Sequence, residues 1–312
     1  VCMNKRQLML DCLNGKPTER VPGSFWFHNQ PDEKTGEKAV QAHLKLIREG
    51  DIDFVKIMDE TELPFDFQTA DDWKHYKPLS LHDPLLEKQY DVIKRIADAV
   101  SSDMMVFTTL FSTLKMIRNG WKQDYAKFVA HYEERPEEVA AAYRALSDML
   151  IGYCEECLKA GAEGIYFSTR GTEPGRFPEE FTHRLIVEED RYVMEGLAKL
   201  SPYNFLHMCG DGMRLDYFYD FPCAVVNWDV HKHDLTLRQG RDAFKGKVIL
   251  GGMKNHDGPL IEGPDDAIRA EVRRIVDDFG SKQGFILGAD CTLLSDVNLH
   301  NIRVAMETLH TL

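Results

Sequence analysis

No stretch of this chain approaches the run of about 18 apolar residues that a membrane-crossing helix needs, so nothing in it is expected to span a bilayer. Basic charge is in deficit: 38 Lys and Arg stand against 51 Asp and Glu, a formal net charge of −13. A protein that grips a nucleic-acid backbone needs a basic face, so that class is excluded and the acidity reads as a solvated surface. Cysteine is sparse. The chain has seven, an odd number without framework-like spacing, which excludes a disulfide scaffold and suits the reducing cytoplasm. The opening Val1-Cys2-Met3-Asn4-Lys5 lacks the apolar stretch of a secretory signal, and it lacks an initiator Met at position 1. Nor is any strand followed by a G-x-G-x-x-G turn, which removes the usual signal for a bound dinucleotide.

What is present is a core-forming composition, 43% hydrophobic and 10% aromatic over 312 residues. Short apolar runs alternate with amphipathic segments. The expected strands are Ser24–His28, Asp53–Asp59, Met104–Leu110, Gly164–Ser168, Tyr203–Cys209, Ala224–Asp229, Lys247–Gly252 and Gly284–Ala289. Helices are expected between them, among them Glu37–Gly50, Pro84–Val100, Pro136–Ala160, Pro178–Leu200, Pro264–Phe279 and Val297–Leu309. Residues 60–80 form an excursion. Apolar strands alternating with helices indicate a parallel sheet covered on both faces. Eight such units point to an α/β fold, a (β/α)8 TIM barrel, with a doubly wound open sheet as the runner-up. A barrel of this length is normally one domain. The expectation is therefore a single domain over 1–312, with 1–20 as an N-terminal helical extension.

Active sites of such barrels lie at the carboxyl ends of the strands. Those ends carry His28, Asp59, Thr109, Ser168 with Arg170, His207 with Cys209, Asp229, Gly251-Gly252, and Asp290 with Cys291. Residues two apart in a strand share a face, so His207 and Cys209 project together. An imidazole nitrogen and a thiolate on one face are half of a tetrahedral zinc site. Cys291, where the last strand gives way to a loop, is the candidate third ligand, because the fifth strand lies across the barrel mouth from the eighth. Set against this, cysteine is often simply buried.

Other clusters are weaker. Cys154 and Cys157 have CxxC spacing but sit within a helix and read as packing. His231 and His233 lie in a charged loop and read as solvated. Asp229 is a candidate fourth ligand or catalytic carboxylate, with a cap or salt bridge as its structural alternative. Asp59 is the second candidate catalytic carboxylate. His28, Ser168 and Arg170 are candidate substrate contacts.

Together the opening Asn4–Leu8 with Glu19–Pro22, Gly164–Ser168, Leu206–Gly210, Val225–Asp229, and Gly284–Gly288 through Asn301 resemble the uroporphyrinogen decarboxylase superfamily, which also contains zinc-dependent corrinoid methyltransferases. The resemblance covers nearly the whole length and implies a (β/α)8 barrel. The methyltransferases that move methyl groups from corrinoid proteins to thiols carry a His-x-Cys…Cys zinc motif, which His207, Cys209 and Cys291 match. Cobalamin-independent methionine synthase resembles the chain more distantly, with similar ligands plus a glutamate. Asp229 or Asn227 stands near that position, which leaves the fourth ligand open. The decarboxylases themselves bind porphyrinogen carboxylates through an Arg-Gln-Ala-Gly-Arg run. Here His28-Asn29-Gln30-Pro31 stands instead, and their Gly-Asn-x-Asp-Pro segment is altered to Gly251–Asn255.

The resemblance thus implies a zinc-dependent methyltransferase with Zn2+ as cofactor. Its partners would be a corrinoid protein and a small-molecule methyl donor or acceptor, with the direction of transfer open. One alternative is a decarboxylase-like, metal-free lyase acting through Asp59 and Arg170 on a smaller carboxylate. Another is a non-catalytic module that binds a corrinoid or a thiol.

Overall fold

The computed structural model describes residues 4–122 and 124–312; Val1–Met3, which include part of the N-terminal reading above, and Gln123 lie outside the described residues. Strands β1 (Phe54–Ile57), β2 (Met105–Phe111), β3 (Gly164–Thr169), β4 (Phe205–Met208), β5 (Val225–Trp228), β6 (Val248–Met253) and β7 (Phe285–Ala289) form one sheet in chain order. Every neighbouring pair is parallel. All residues of these strands are buried, as a sheet covered on both faces requires. Inward-pointing Phe54, Phe107 and Phe205 meet inside the curl, with ring centroids 4.7 to 5.7 Å apart.

The expected first strand departs from the expectation. Residues 22–27 run extended between the two edges of the sheet but make only isolated bridges, Gly23 to Leu287 and Phe27 to Leu293. Ser24 N donates to Leu287 O and Leu287 N to Pro22 O on the β7 side, while Asp53 N donates to Gly23 O on the β1 side. Pro22 has no N–H to give a ladder, and a Cβ on Gly23 would stand 2.6 Å from Leu309 Cδ2. This tight passage joins β7 to β1 in the place of an eighth strand. The fold is therefore a curled seven-stranded barrel of the TIM class, its seam bridged by an irregular segment.

The helices follow their sequence signals closely. Pro84–Val100 begins at proline and is capped by Asp83, whose side chain accepts from Leu85 N; Pro136–Lys159 also begins at proline. The expected Pro178–Leu200 helix is continuous but contains a π-helical turn at Thr182–Val187. The N-terminal helix Lys5–Leu13 lies across the amino ends of the strands, with Arg6 paired to Glu163 and Lys5 Nζ 2.6 Å from Asp51 Oδ1. The opposite end is left open. Among the described residues no helix is long and apolar enough to cross a membrane.

Candidate metal centre

Parallel register sets the floor of the open end. Ser168, His207 and Asn227 are aligned on β3, β4 and β5, and the two-residue repeat turns all three inward beside Tyr166. The Tyr166 hydroxyl donates to Asn227 Oδ1 at 2.8 Å, and Asn227 Nδ2 donates to Leu250 O and Ala289 O. The Tyr166 ring in turn stacks on the imidazole of His207, with centroids 5.5 Å apart. One residue past β4, Cys209 N still donates to Thr169 O at 2.8 Å, which keeps its side chain on the face of His207.

Cys291 arrives from the end of β7. His207 Nε2 lies 3.3 Å from Cys291 Sγ, and the sulfurs of Cys209 and Cys291 are 3.9 Å apart. All three donor atoms lie within 4.8 Å of one another, and both thiols are free. His207 Nδ1 is buried without a hydrogen-bond partner. The hydrogen bond from Cys291, outweighing burial and helped by His207, holds the Cys209 thiol well below its ordinary range. The neighbouring Cys209 sulfur, then burial, pushes Cys291 well up. One thiol ionises at the other's expense, and a cation held between the two sulfurs would favour both as thiolates. The donor set of two sulfurs and one imidazole is that of a zinc site, and these residues fit such an ion.

Beside it stands a second cluster. Asp290, fully buried, bonds His231 Nδ1 through Oδ2 at 2.5 Å and accepts from Gly252 N at 3.0 Å. Asp229 accepts from His231 N, and burial together with Asp290 pushes its carboxyl up to about 6. His231, itself exposed as expected of that loop, thus reaches down to a buried carboxylate, and His233 Nδ1 faces Asp229 O. Asp229 and Arg170 share a cavity of about 710 Å³ with His207, Cys209 and Cys291. His28 and Ser168 line an adjoining one of about 340 Å³ that includes the same three residues.

Asp59 is placed elsewhere. It follows β1 in phase with Val55 and Ile57, which points it into the helical layer, where it accepts from Tyr153 Oη at 3.0 Å and Thr61 N at 2.8 Å. Burial pushes its carboxyl up. Asn227 is also committed, since both ends of its amide are already bonded. Cys154 and Cys157 are fully buried in the helix Pro136–Lys159, away from the cavity, and burial holds both thiols well above their ordinary range.

Two lysines escape sequence reasoning. Lys56, 2% exposed, shares the inward phase of Phe54. Its ammonium lies 2.8 Å from Met58 Sδ and over the rings of Tyr166 and Trp26, at 4.4 and 5.0 Å from their centroids. Burial brings its pKa down to about 7. Lys115, half-buried, lies over Phe111 at 3.6 Å, and burial lowers it as well. Both line the smaller cavity. The available signal was a lone cation inside the otherwise apolar Phe54–Ile57 strand.

The profile of the family described as Uroporphyrinogen decarboxylase (URO-D) matches residues 50–312. A uroporphyrinogen decarboxylase of Azoarcus sp. is 25% identical over 257 residues, covering 79% of this chain and 69% of that one. Several other such relatives match over 54% of their own length. Among solved structures, a methyltransferase from Methanosarcina mazei superposes with a TM-score of 0.76 at 14% identity, covering 99% of both chains. A B12-independent methionine synthase from Shewanella sp. W3-18-1 gives 0.62 at 11% identity, covering 94% and 98%. At these identities the structural likeness is one of fold.

Proposed function

Because the chain belongs to the uroporphyrinogen decarboxylase family, yet gathers two thiols and an imidazole at the mouth of its barrel, we propose that it is a zinc-dependent methyltransferase. It would move a methyl group between a corrinoid protein and a thiol or another small molecule. The observation that carries this reading is the meeting of His207, Cys209 and Cys291 from two distant parts of the chain inside one cavity. The names of the two superposing structures, a methyltransferase and a methionine synthase, support it. So does the first-strand segment, where His28-Asn29-Gln30-Pro31 offers no guanidinium to a porphyrinogen carboxylate.

Zinc bound there supplies the Lewis acidity that brings a substrate thiol into its thiolate form near neutral pH. Cys209 and Cys291, both as thiolates, balance the charge of the ion and so leave the substrate sulfur electron-rich. Tyr166, fixed by Asn227, orients the ring of His207. With Asn227 committed and Asp229 drawn into the neighbouring cluster, the fourth position is left for the small molecule. In the thiol direction a sulfur–carbon bond forms as the bond between methyl and corrinoid breaks. The electron pair of that bond stays with the corrinoid, and the thiol proton leaves to solvent. The metal-free lyase reading loses its carboxylate, because Asp59 faces Tyr153 and not the cavity.

Metal analysis of protein purified without chelator tests the proposal. About one zinc per chain is expected, with loss in Cys209→Ser and Cys291→Ser while circular dichroism stays that of the wild type. A wild-type protein that takes up no zinc when it is supplied in excess would end it, as would turnover of uroporphyrinogen by the metal-free protein.

A further inference from the structure

We propose that His28, held from behind by Glu60, accepts the proton that the small-molecule thiol gives up at the candidate metal centre. This rests on the metal reading above and adds to it the side chain that handles the proton.

The irregular segment at the seam sets the position of this imidazole. Phe27 bridges to Leu293, and Leu293 N donates to Trp26 O, so the chain runs extended beside the end of β7. Trp26 faces inward there, its ring edge-on to that of Tyr166 with centroids 5.1 Å apart. Residues two apart on an extended chain share a face. His28 therefore stands one level above Trp26, as Ser168 stands above Tyr166 and His207 above Phe205. It lines the cavity of about 340 Å³ that His207, Cys209 and Cys291 also line.

A carboxylate backs the ring. Glu60, three residues past β1, keeps only 7% of its side chain exposed, whereas His28 keeps 47%. Glu60 Oε1 lies 2.9 Å from His28 Nδ1 and accepts from Asn29 N at 3.3 Å. A carboxylate at Nδ1 places the ring hydrogen on that nitrogen and leaves Nε2 as the acceptor. Nε2 makes no hydrogen bond to the protein among the described residues. Glu60 already has a cation in Lys34, 3.3 Å from its Oε2, so its charge alone does not call for an imidazole. A nearly buried carboxylate behind an accessible imidazole is the arrangement that holds a general base in one tautomer and one orientation. The other charged groups facing this cavity are His256, after β6, and the ammonium groups of Lys56 and Lys115.

A thiol that takes the open position loses its proton there. The S–H bond breaks, its electron pair stays on sulfur, and the proton passes to Nε2 of His28, directly or through one water, while the hydrogen on Nδ1 stays bonded to Glu60. The imidazolium is favoured by Glu60 on one side and by the new thiolate on the other. Once the sulfur carries the methyl group its negative charge is gone, and His28 returns the proton to solvent. In the opposite direction the imidazolium supplies the proton to the heteroatom that has lost its methyl.

Isothermal titration of zinc-loaded protein with 2-mercaptoethanol, in two buffers of different ionisation enthalpy, counts the protons released per thiol bound. Near pH 7.5 the wild type is expected to release about half a proton or less, and His28→Gln about one. Glu60→Gln, which keeps a hydrogen bond to the ring without the charge, should release more than the wild type. Well below the range in which imidazole titrates, the wild type and His28→Gln should converge on about one. Zinc content, measured on the same samples, should stay stoichiometric in both variants. Equal proton counts in the wild type and both variants near pH 7.5 overturn the role of His28 and leave the metal reading standing. Wild-type protein that holds no zinc, or that binds no thiol with zinc in place, removes the metal reading and the role of His28 together.

Discussion

The side chain on which the site's geometry turns is Asn227, which makes no proposed contact with metal or substrate. Its oxygen fixes Tyr166 and its amide spans β6 and β7, so it ties the neighbours of His207 to the strand that delivers Cys291. Asn227→Ala leaves the buried Tyr166 hydroxyl without an acceptor and should cost about 2–3 kcal/mol, against about 1 kcal/mol for Tyr166→Phe, which removes the hydroxyl itself. Urea unfolding of the two variants checks the order, and an Asn227→Ala cost no larger than that of Tyr166→Phe would contradict it. Alternation along a strand made His207 and Cys209 legible from the sequence alone, because their spacing forces them onto one face. The same rule, carried through β1, separates inward Phe54 and Lys56 from outward Val55, Ile57 and Asp59. Attention to the acid at the end of that strand passed over the cation inside it. Electrostatic partners were not legible at all: that Lys56 would face aromatic rings, and Asp59 a tyrosine 94 residues away, depends on contacts between distant elements.

Among the elements, helices were the easiest to read, since proline and capping residues mark their starts at Pro84 and Pro136 and the periodic apolar face does the rest. The segment at 22–27 was harder. Its composition is that of a strand, but Pro22 and the close passage of Gly23 against Leu309 and Met306 prevent a full ladder. The helix Glu188–Leu200 carries a test of how elements are joined at the open end. Its Asp190, fully buried, is hydrogen-bonded with the hydroxyl of Thr169, the last residue of β3, just before the loop that carries Arg170. Burial raises the Asp190 carboxyl well above its ordinary value of 3.8, the Thr169 bond offsetting only part of this. A raised folded-state pKa favours the fold most below that ordinary value, and the benefit is lost as pH rises through the folded value. Asp190→Asn, which keeps a hydrogen-bonding partner for Thr169 and cannot ionise, should therefore gain on the wild type as pH climbs from about 4 towards 8. Unfolding free energies across that range check this, and a difference that does not change with pH would contradict it.

At the scale of the whole molecule, a net charge of −13 describes the surface and not the cavity. Summed charge argues against a broadly basic face, but it cannot show that cations collect where the barrel opens. That is why composition missed the character of the cavity. The convergence of Cys291 on His207 and Cys209 was legible only through the fold, since 82 residues separate the two cysteines and it takes a curled, ordered sheet to bring the ends of β4 and β7 to one rim. The central claim is that these three side chains hold one zinc ion with a position left for substrate. X-ray absorption at the zinc edge of the purified protein tests it most directly. The account predicts two sulfur neighbours at ~2.3 Å and nitrogen or oxygen neighbours at ~2.0–2.1 Å, with the number of sulfurs rising from two to three when a thiol substrate is added. A shell of oxygen and nitrogen alone, or a sulfur count that the thiol leaves unchanged, would contradict it.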